Sequence, residues 1–455
     1  MTTVTVRTDQ PRVRINKNIL GQFSEHLGRG IYDGIWVGAN SDIPNTDGIR
    51  SDVVEALRAL EVPVLRWPGG CFADNYHWRN GVGRLEERTP MVNGWGNVIE
   101  TNEFGTHEFF RLCELIGAQP YVCGNVGSGT VEEMQQWVEY ISGSGEAPMA
   151  RARRANGREE PWPFPFFGIG NENWGCGGHM RPQYYADLYN RFASYIRGTE
   201  DGPIVRVAGG PNEADYKWMK VLMRECAPRM EAISVHFYTA AGDFWHEKGD
   251  ATGFGVDGWF KALRRTLELS RILKRHIEIM DRYDPDGRVA LYVDEWGSWY
   301  NPDQPDNGRL YQQNTLRDAL IAGVNLNLFA NLAERVQMAN IAQMVNVLQS
   351  VILTFENQVV LTPTYHVFDL FRVHRDSTLL PTEFDSPTYK HGPEILPQLS
   401  IASSMHASGS VNVTICNLDP NEGARIEVGA CGSRIARSGA RGITAERMDA
   451  HNTFS

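Results

Sequence analysis

The sequence predicts an α/β fold, a (β/α)8 barrel followed by a β-sandwich, and three observations carry that prediction. Between about residues 18 and 345, eight short apolar, β-branched runs alternate with segments of helical period, the pattern of a parallel sheet built from βα units. Several of these runs end in a cluster of polar and aromatic side chains. Functional groups gather on the C-terminal rim of such a barrel because packed side chains fill its interior. Beyond about residue 350, proline and threonine become frequent and helical period gives way to short β-rich runs, which suits a small sandwich.

In chain order, strand material occupies Ile19–Phe23, Val62–Trp67, Pro120–Gly124, Phe164–Ile169, Ile204–Ala208, Ala232–Phe237, Val289–Val293 and Met338–Gln343. Helical period fills Ser51–Leu60, Phe104–Ile116, Val131–Ile141, Gln183–Ile196, Trp259–Met280 and Gln312–Leu332, each with one apolar face. The rim clusters are Glu25-His26, Arg66-Trp67-Pro68-Gly69-Gly70, Asn171-Glu172, His236-Phe237-Tyr238 and Asp294-Glu295-Trp296. The segment Ala150–Gly157, with Arg151, Arg153 and Arg154, reads as a solvated loop, since three arginines are too few for a nucleic-acid arm. Late runs at Gln398–Ser403 and Ser410–Cys416 belong to the sandwich, and the opening Val4–Ile15 is strand material that could join it. The expected division is a barrel over 16–350 and a sandwich over 351–455, with residues 1–15 adding a strand to the latter.

The length of 455 residues allows two to four domains, and 42% hydrophobic residues with 12 Trp, 16 Tyr and 19 Phe supply a packed core. Disorder and coiled coil are thereby excluded. A net charge of −11, from 44 basic and 55 acidic residues, disfavours nucleic acid and anionic membrane as partners. The start, MTTVTVRTDQ, has no secretory apolar run, and no stretch of about 18 apolar residues follows, so a soluble, cytoplasmic protein is expected. Seven cysteines form an odd set without a CxxC pair, which predicts free thiols rather than a zinc site or disulfides. His107-Glu108 lacks the second histidine of HExxH, and neither Walker A nor GxGxxG occurs, so no metal and no cofactor are expected.

Chemistry concentrates on Glu172, in GIGNENWG, and Glu295, in LYVDEWGSWY. Each follows a predicted strand among aromatics and glycines, where a carboxylate is partly desolvated and faces a cleft. The 123 residues between them fit about three βα units, which places them on strands four and seven. A single glutamate at a strand end more often caps a helix or pairs with an arginine. Two facing each other across a rim are what glycosidic cleavage needs, one protonated to release the leaving oxygen and one ionised to attack the anomeric carbon or activate water.

Six segments, GQFSEHLGRGIYDGIWVG, LRWPGGCFADNYHWRNGVG, ETNEFGTHEFF, GIGNENWGCGG, DEWGSWY and NIAQMVNVLQS, in this order and spacing, resemble glycoside hydrolase family 51, chiefly α-L-arabinofuranosidases. The resemblance runs from about residue 18 to the C-terminus. It implies a clan A barrel with a jelly-roll-like sandwich, a retaining double displacement, Glu172 as acid/base and Glu295 as nucleophile. In a retaining enzyme the two carboxyls should lie about 5–5.5 Å apart. The charge of an ionised Glu295 then raises the pKa of Glu172, and esterification removes that charge so that Glu172 can act as base.

Further positions match the family's supporting residues. Asn171 resembles a residue that hydrogen-bonds the sugar 2-hydroxyl, Glu25 a carboxylate that accepts hydrogen bonds from furanose hydroxyls, and Arg66 a residue that holds the nucleophile ionised and oriented. His236 and Tyr238 sit two apart on strand six and point to one side, with Tyr238 placed to touch Glu295. A lone strand histidine could equally be a satisfied core residue. Cys71 either lines the sugar pocket or is a buried inert thiol. Trp95 and Trp299 are placed like aromatics that wall off the sugar, Trp174 and Trp296 read partly the same way, and Gln343 matches a polar residue closing the far side. The segment around Trp95, MVNGWGNVIETNEFG, aligns less firmly, and the end at Asn452–Ser455 is shorter than expected, so a tail is expected to be absent.

An endo-β-glucanase or β-xylosidase would use the same carboxyl pair, and a non-catalytic carbohydrate-binding protein is the alternative from another class. The expected partners are arabinose-containing oligo- or polysaccharides and, by resemblance, further copies of the chain in a hexamer.

Overall fold

The computed structural model describes residues 1–198, 202–243, 246–302, 309–432 and 434–454. Eight parallel strands close into a barrel in sequential order: β1 (Gly21–Phe23), β2 (Val64–Trp67), β3 (Gln119–Gly124), β4 (Phe166–Ile169), β5 (Val205–Ala208), β6 (Ala232–Thr239), β7 (Ala290–Ser298) and β8 (Val336–Ile341). All eight predicted strands are there, with shifted ends. The first begins late because Lys17–Leu20 winds into a 3-10 turn capped by Asn16, whose side chain accepts from the Asn18 amide. Strands β6 and β7 run further than expected, so Glu295 sits within a strand rather than on a loop, and Tyr238 lies on β6 as its spacing from His236 predicts.

The barrel interior is plugged by alternate strand side chains, among them Val64, Tyr121, Phe166, Val207, Tyr292 and Met338. A larger apolar layer fills the space between strands and surrounding helices. Helix Val131–Ser142 starts at Thr130, whose hydroxyl accepts from the Glu133 amide, and helix Leu316–Asn331 starts in a capping box of Thr315 and Asp318. The second of these is buried almost all round because the sandwich packs on its outer face. There Asn327 donates to the Ser400 carbonyl (3.0 Å) and Asn331 to the Ile401 carbonyl (2.9 Å).

Two three-stranded sheets make the sandwich. In one, Thr2–Arg7 lies between Thr382–Phe384, antiparallel, and Ile426–Cys431, parallel. In the other, Leu399–Met405 lies between Thr378–Leu380 and Val411–Asn417. Val4, Leu399 and Ile401 join the two in a shared apolar cluster.

Three elements depart from expectation. The arginine-rich segment is no solvated loop: Pro148–Ala155 is a helix. It holds because Arg153, 1% exposed, turns inward and donates to the carbonyls of Tyr140 and Gly143, both at 2.9 Å. A helix also occupies Pro363–Phe371, past the point where helical period fades. Its Thr362-Pro363 start is a cap followed by proline at the first position, so residues suggestive of a turn are here a helix signal. Tyr216–Cys226 is a further helix that the pattern did not mark.

Candidate active site

Glu295 lies in β7 opposite His236 of β6. Regular alternation would send Asp294 and Glu295 to opposite faces. The register of β7 slips against both neighbours here, between Ser234 and His236 on one side and between Val293 and Trp296 on the other. Such a bulge re-aims side chains, and both carboxylates reach the barrel mouth. Tyr238 donates its phenol to Glu295 Oε1 (2.9 Å), Arg66 Nη1 donates to Oε2 (3.0 Å), and His236 Nδ1 stands 3.5 Å from Oε2.

Glu172 follows β4 in a left-handed conformation (φ 43°), two residues after Gly170 (φ 82°). A non-glycine residue keeps that backbone only where its surroundings enforce it. Here buried Asp74 does so, accepting from the amides of Asn171 (2.7 Å), Val126 (2.7 Å) and Gly127 (2.8 Å) and from Asn173 Nδ2 (3.0 Å). Glu172 Oε1 meets His236 Nδ1 at 2.9 Å, and carboxyl oxygens of Glu172 and Glu295 lie within 4.8 Å of each other.

The remaining residues close round this pair. Glu25 accepts from the Phe72 amide and from Gln343 Nε2, and its own amide donates to Gln343 Oε1, all at 3.0 Å. The double glycine after Pro68 makes room: a Cβ on Gly69 would stand 2.7 Å from Glu25 Cγ, and one on Gly70 would stand 3.0 Å from Glu295 Oε2. Arg66, stacked 4.4 Å over Phe23, also donates to Asn171 Oδ1. Asn171 Nδ2 is buried without a partner. Trp299 meets Tyr238 edge-on at 5.2 Å, and Trp95 reaches the same cluster from a hairpin of Met91–Asn93 and Val98–Glu100.

Burial and neighbouring charges set the protonation states. Burial first, then the charge of Glu295, raises Glu172 above the usual carboxylate range. The same two causes raise Glu25 to about 7. Burial opposes a charge on His236, but Glu295 and the contacts with Asp294 and Glu172 override it and push the ring up to about 10. Burial also opposes ionisation of Asp294, yet Arg66, His236 and Tyr121 hold it below its ordinary value. Among the described residues, Glu172, His236 and Glu295 come close enough to share an ion, as do Cys71, Glu172 and Cys176. The sulfurs of the second set are bonded to each other.

That bond corrects the expectation of free thiols. Cys71 and Cys176 form a disulfide with Cα atoms 5.5 Å apart, joining the loops after β2 and β4 across 105 residues. Cys71 is neither a free pocket thiol nor a buried inert one: its sulfur lies 3.9 Å from Glu172 Oε2, and that of Cys176 lies 3.5 Å away. Cys113, Cys123, Cys226, Cys416 and Cys431 are unpaired. Trp296 is a second correction. Next to Glu295 it points to the other face, fully buried, with Phe329 at 5.3 Å and Phe368 at 6.3 Å, and belongs to the core. Trp174 stays partly exposed and donates to the Gly210 carbonyl (3.1 Å).

Glu25, Arg66, Cys71, Trp95, Asn171, Glu172, His236, Tyr238, Glu295, Trp299 and Gln343 thus converge on one rim, and Trp296 does not. Sequence reasoning missed Asp74, Cys176 and Asp294. The last stands beside Glu295 in DEW, but simple alternation turns it outward.

Comparison with known proteins adds two family profiles. Residues 56–252 match the α-L-arabinofuranosidase 1 domain, and residues 294–455 match the α-L-arabinofuranosidase C-terminal domain. An intracellular exo-α-L-arabinofuranosidase of Bacteroides ovatus is 48% identical over 99% of this chain and 88% of its own length. The crystal structure of the GH51 arabinofuranosidase from Xanthomonas axonopodis pv. citri superposes with a TM-score of 0.97 at 46% identity, covering 100% of this chain and 92% of that one. The α-L-arabinofuranosidase from Thermotoga maritima in its arabinose complex gives 0.81 at 30% identity, covering 95% and 88%.

Proposed function

The chain belongs to glycoside hydrolase family 51, and from that premise we infer that it removes terminal non-reducing α-L-arabinofuranosyl residues from arabinan, arabinoxylan or their oligosaccharides. The observation that carries this reading is the carboxyl pair, with oxygens of Glu172 and Glu295 within 4.8 Å. That spacing suits a retaining double displacement, since inverting enzymes hold their carboxyls about 6.5–9.5 Å apart to admit a water.

In the first step Glu295 attacks the anomeric carbon while protonated Glu172 gives its proton to the departing oxygen, leaving an arabinosyl ester on Glu295. In the second, Glu172 takes a proton from water as that water attacks the same carbon and frees Glu295. Burial and the charge of Glu295 favour the acid form of Glu172 at the outset. Esterification removes that charge, which favours the base.

Arg66 and Tyr238 orient the nucleophile through their hydrogen bonds to it. The unpartnered Nδ2 of Asn171 is free for the sugar 2-hydroxyl, whose hydrogen bond strengthens in the transition state. Glu25, braced by Gln343, receives further hydroxyls, and Trp95 and Trp299 wall the sugar. The Cys71–Cys176 disulfide lies against the acid/base. The reading includes a barrel over 16–350, a sandwich over 351–455 joined by residues 1–15, a homo-oligomer, and a cytoplasmic location. No helix among the described residues is long and apolar enough to cross a membrane.

Rates on an aryl α-L-arabinofuranoside, an aryl β-xyloside and carboxymethyl cellulose test the activity. Dominant furanosidase turnover is expected, and negligible furanosidase turnover contradicts it.

A further inference from the structure

Resting on the roles just given to Glu172 and Glu295, we propose that Asp294 is a positioning residue for the reaction: by facing Nε2 of His236 it keeps that ring an imidazolium, whose Nδ1–H serves both carboxyls. The ring faces a carboxylate from each of its nitrogens. Nδ1 stands 2.9 Å from Glu172 Oε1 and 3.5 Å from Glu295 Oε2, and both oxygens are acceptors when ionised. Nε2 stands 3.2 Å from Asp294 Oδ1, an ion-pair contact that falls short of hydrogen-bond alignment. Whenever Glu172 is ionised, as it must be to act as base, a neutral imidazole with its single N–H can donate to only one of these two sides.

Asp294 is itself fixed as an anion. Tyr121 donates its phenol to Oδ2 (2.6 Å), and Arg66 Nε lies 3.6 Å from the same oxygen. The charged groups facing His236 are Glu172 from the loop after β4 and Asp294 and Glu295 from β7, with Arg66 of β2 opposing them beyond the carboxylates. Tyr121 of β3 and Tyr238 on its own strand are phenols that burial keeps neutral. Glu25, just after β1, bears on Glu295 rather than on the ring. Acidic neighbours therefore outnumber the one arginine, in accord with a ring pushed up to about 10.

The imidazolium matters most in the second step. While Glu295 is ionised, the Nδ1–H is shared between the carboxyls. Once Glu295 is an ester, the proton is offered to Glu172 alone and stabilises its anionic, base form. Without Asp294 the ring loses its anionic partner at Nε2 and holds its second proton less tightly, so Glu172 keeps its own proton to higher pH. Acid catalysis then persists while base catalysis weakens.

Asp294→Asn is expected to move the basic limb of kcat/KM upward by about one pH unit, the lower end of what a charge at 4–6 Å does to a carboxyl. It is also expected to slow ester hydrolysis on substrates with good leaving groups. His236→Asn should shift the limb in the same direction, and the double variant should shift it no further. A uniform loss of rate with unmoved limbs, or shifts that add in the double variant, overturns the proposal. Should Asp294→Asn fail to fold, nitrogen-15 NMR of the unaltered enzyme decides, with His236→Asn giving the assignment. Both ring nitrogens are expected to be protonated at neutral pH, and a singly protonated ring overturns the proposal. Ring charge does not depend on which carboxyl attacks the sugar, so full turnover by Glu295→Ala would defeat the catalytic reading while leaving the NMR result standing.

Discussion

Replacing Glu172 by alanine should separate the two halves of the reaction. The first half loses its proton donor, and general acid catalysis is worth about 10²–10⁴-fold, or roughly 2.7–5.5 kcal/mol of barrier. That whole amount is felt when the leaving group is a sugar alcohol and almost none of it when a dinitrophenolate departs as a stable anion. The second half loses its base with every substrate, so the ester on Glu295 accumulates and kcat and KM fall together. The vacated space is lined by His236 Nδ1, which stands 2.9 Å from Glu172 Oε1 in the intact site and belongs to a ring pushed up to about 10. Azide should settle there and attack the ester from the face the leaving group left, giving an α-configured arabinofuranosyl azide. Glu295→Ala opens the opposite face and should give the β-azide. Stopped-flow release of a series of phenols, with NMR of the azide product, reads both effects. An equal loss across all leaving groups, or a β-azide from Glu172→Ala, would refute the assignment.

Asn171→Ala should lower kcat by about 10²–10³-fold, roughly 2.7–4 kcal/mol for a preorganised donor, and should cost little on a 2-deoxy substrate that never uses it. A full loss on the 2-deoxy substrate would point to misplacement of Arg66 instead. Cys176→Ser should destabilise the protein by about 2–4 kcal/mol, as expected for a link closing a long loop, here 105 residues. Thermal melts in strong dithiol should lower the unaltered protein towards the variant and leave the variant unchanged. His374, bonded to the hydroxyls of Ser404 and Thr414, is lowered to about 4 by burial. The unfolded chain therefore takes up a proton below about 6.5 that the folded one refuses, and stability present above that pH is lost as pH falls towards 4, by up to about 3 kcal/mol. Denaturant titrations of His374→Gln across this window should show a smaller loss, and an unchanged slope would contradict the argument.

The barrel was legible because its strands are apolar runs separated by amphipathic helices, and the two patterns differ in period. Strand ends were less so, since β6 and β7 continue through residues that look like loop. The helix at Pro148–Ala155 was hidden because a polar composition gives no sign that Arg153 finds three carbonyls inside. Candidate residues stood out where they interrupt an apolar run at the rim, as Glu25, Glu172 and Glu295 do. Asp294 did not, because only a register slip in three dimensions turns it inward beside its neighbour. The disulfide was concealed by arithmetic: an odd count argues against a framework but says nothing about two cysteines that separate loops bring to 5.5 Å. Trp296 misled for the opposite reason, since adjacency to Glu295 in sequence means opposition across the strand.

Retaining hydrolysis depends on Glu295 forming a covalent ester with the sugar. Incubating Glu172→Ala with a dinitrophenyl α-L-arabinofuranoside, then digesting and sequencing the peptides by mass spectrometry, tests this directly. One arabinosyl group is expected on the peptide containing Asp294-Glu295-Trp296, fixed to Glu295. An arabinosyl group on any other residue, or none at all alongside a product of inverted configuration, would contradict it.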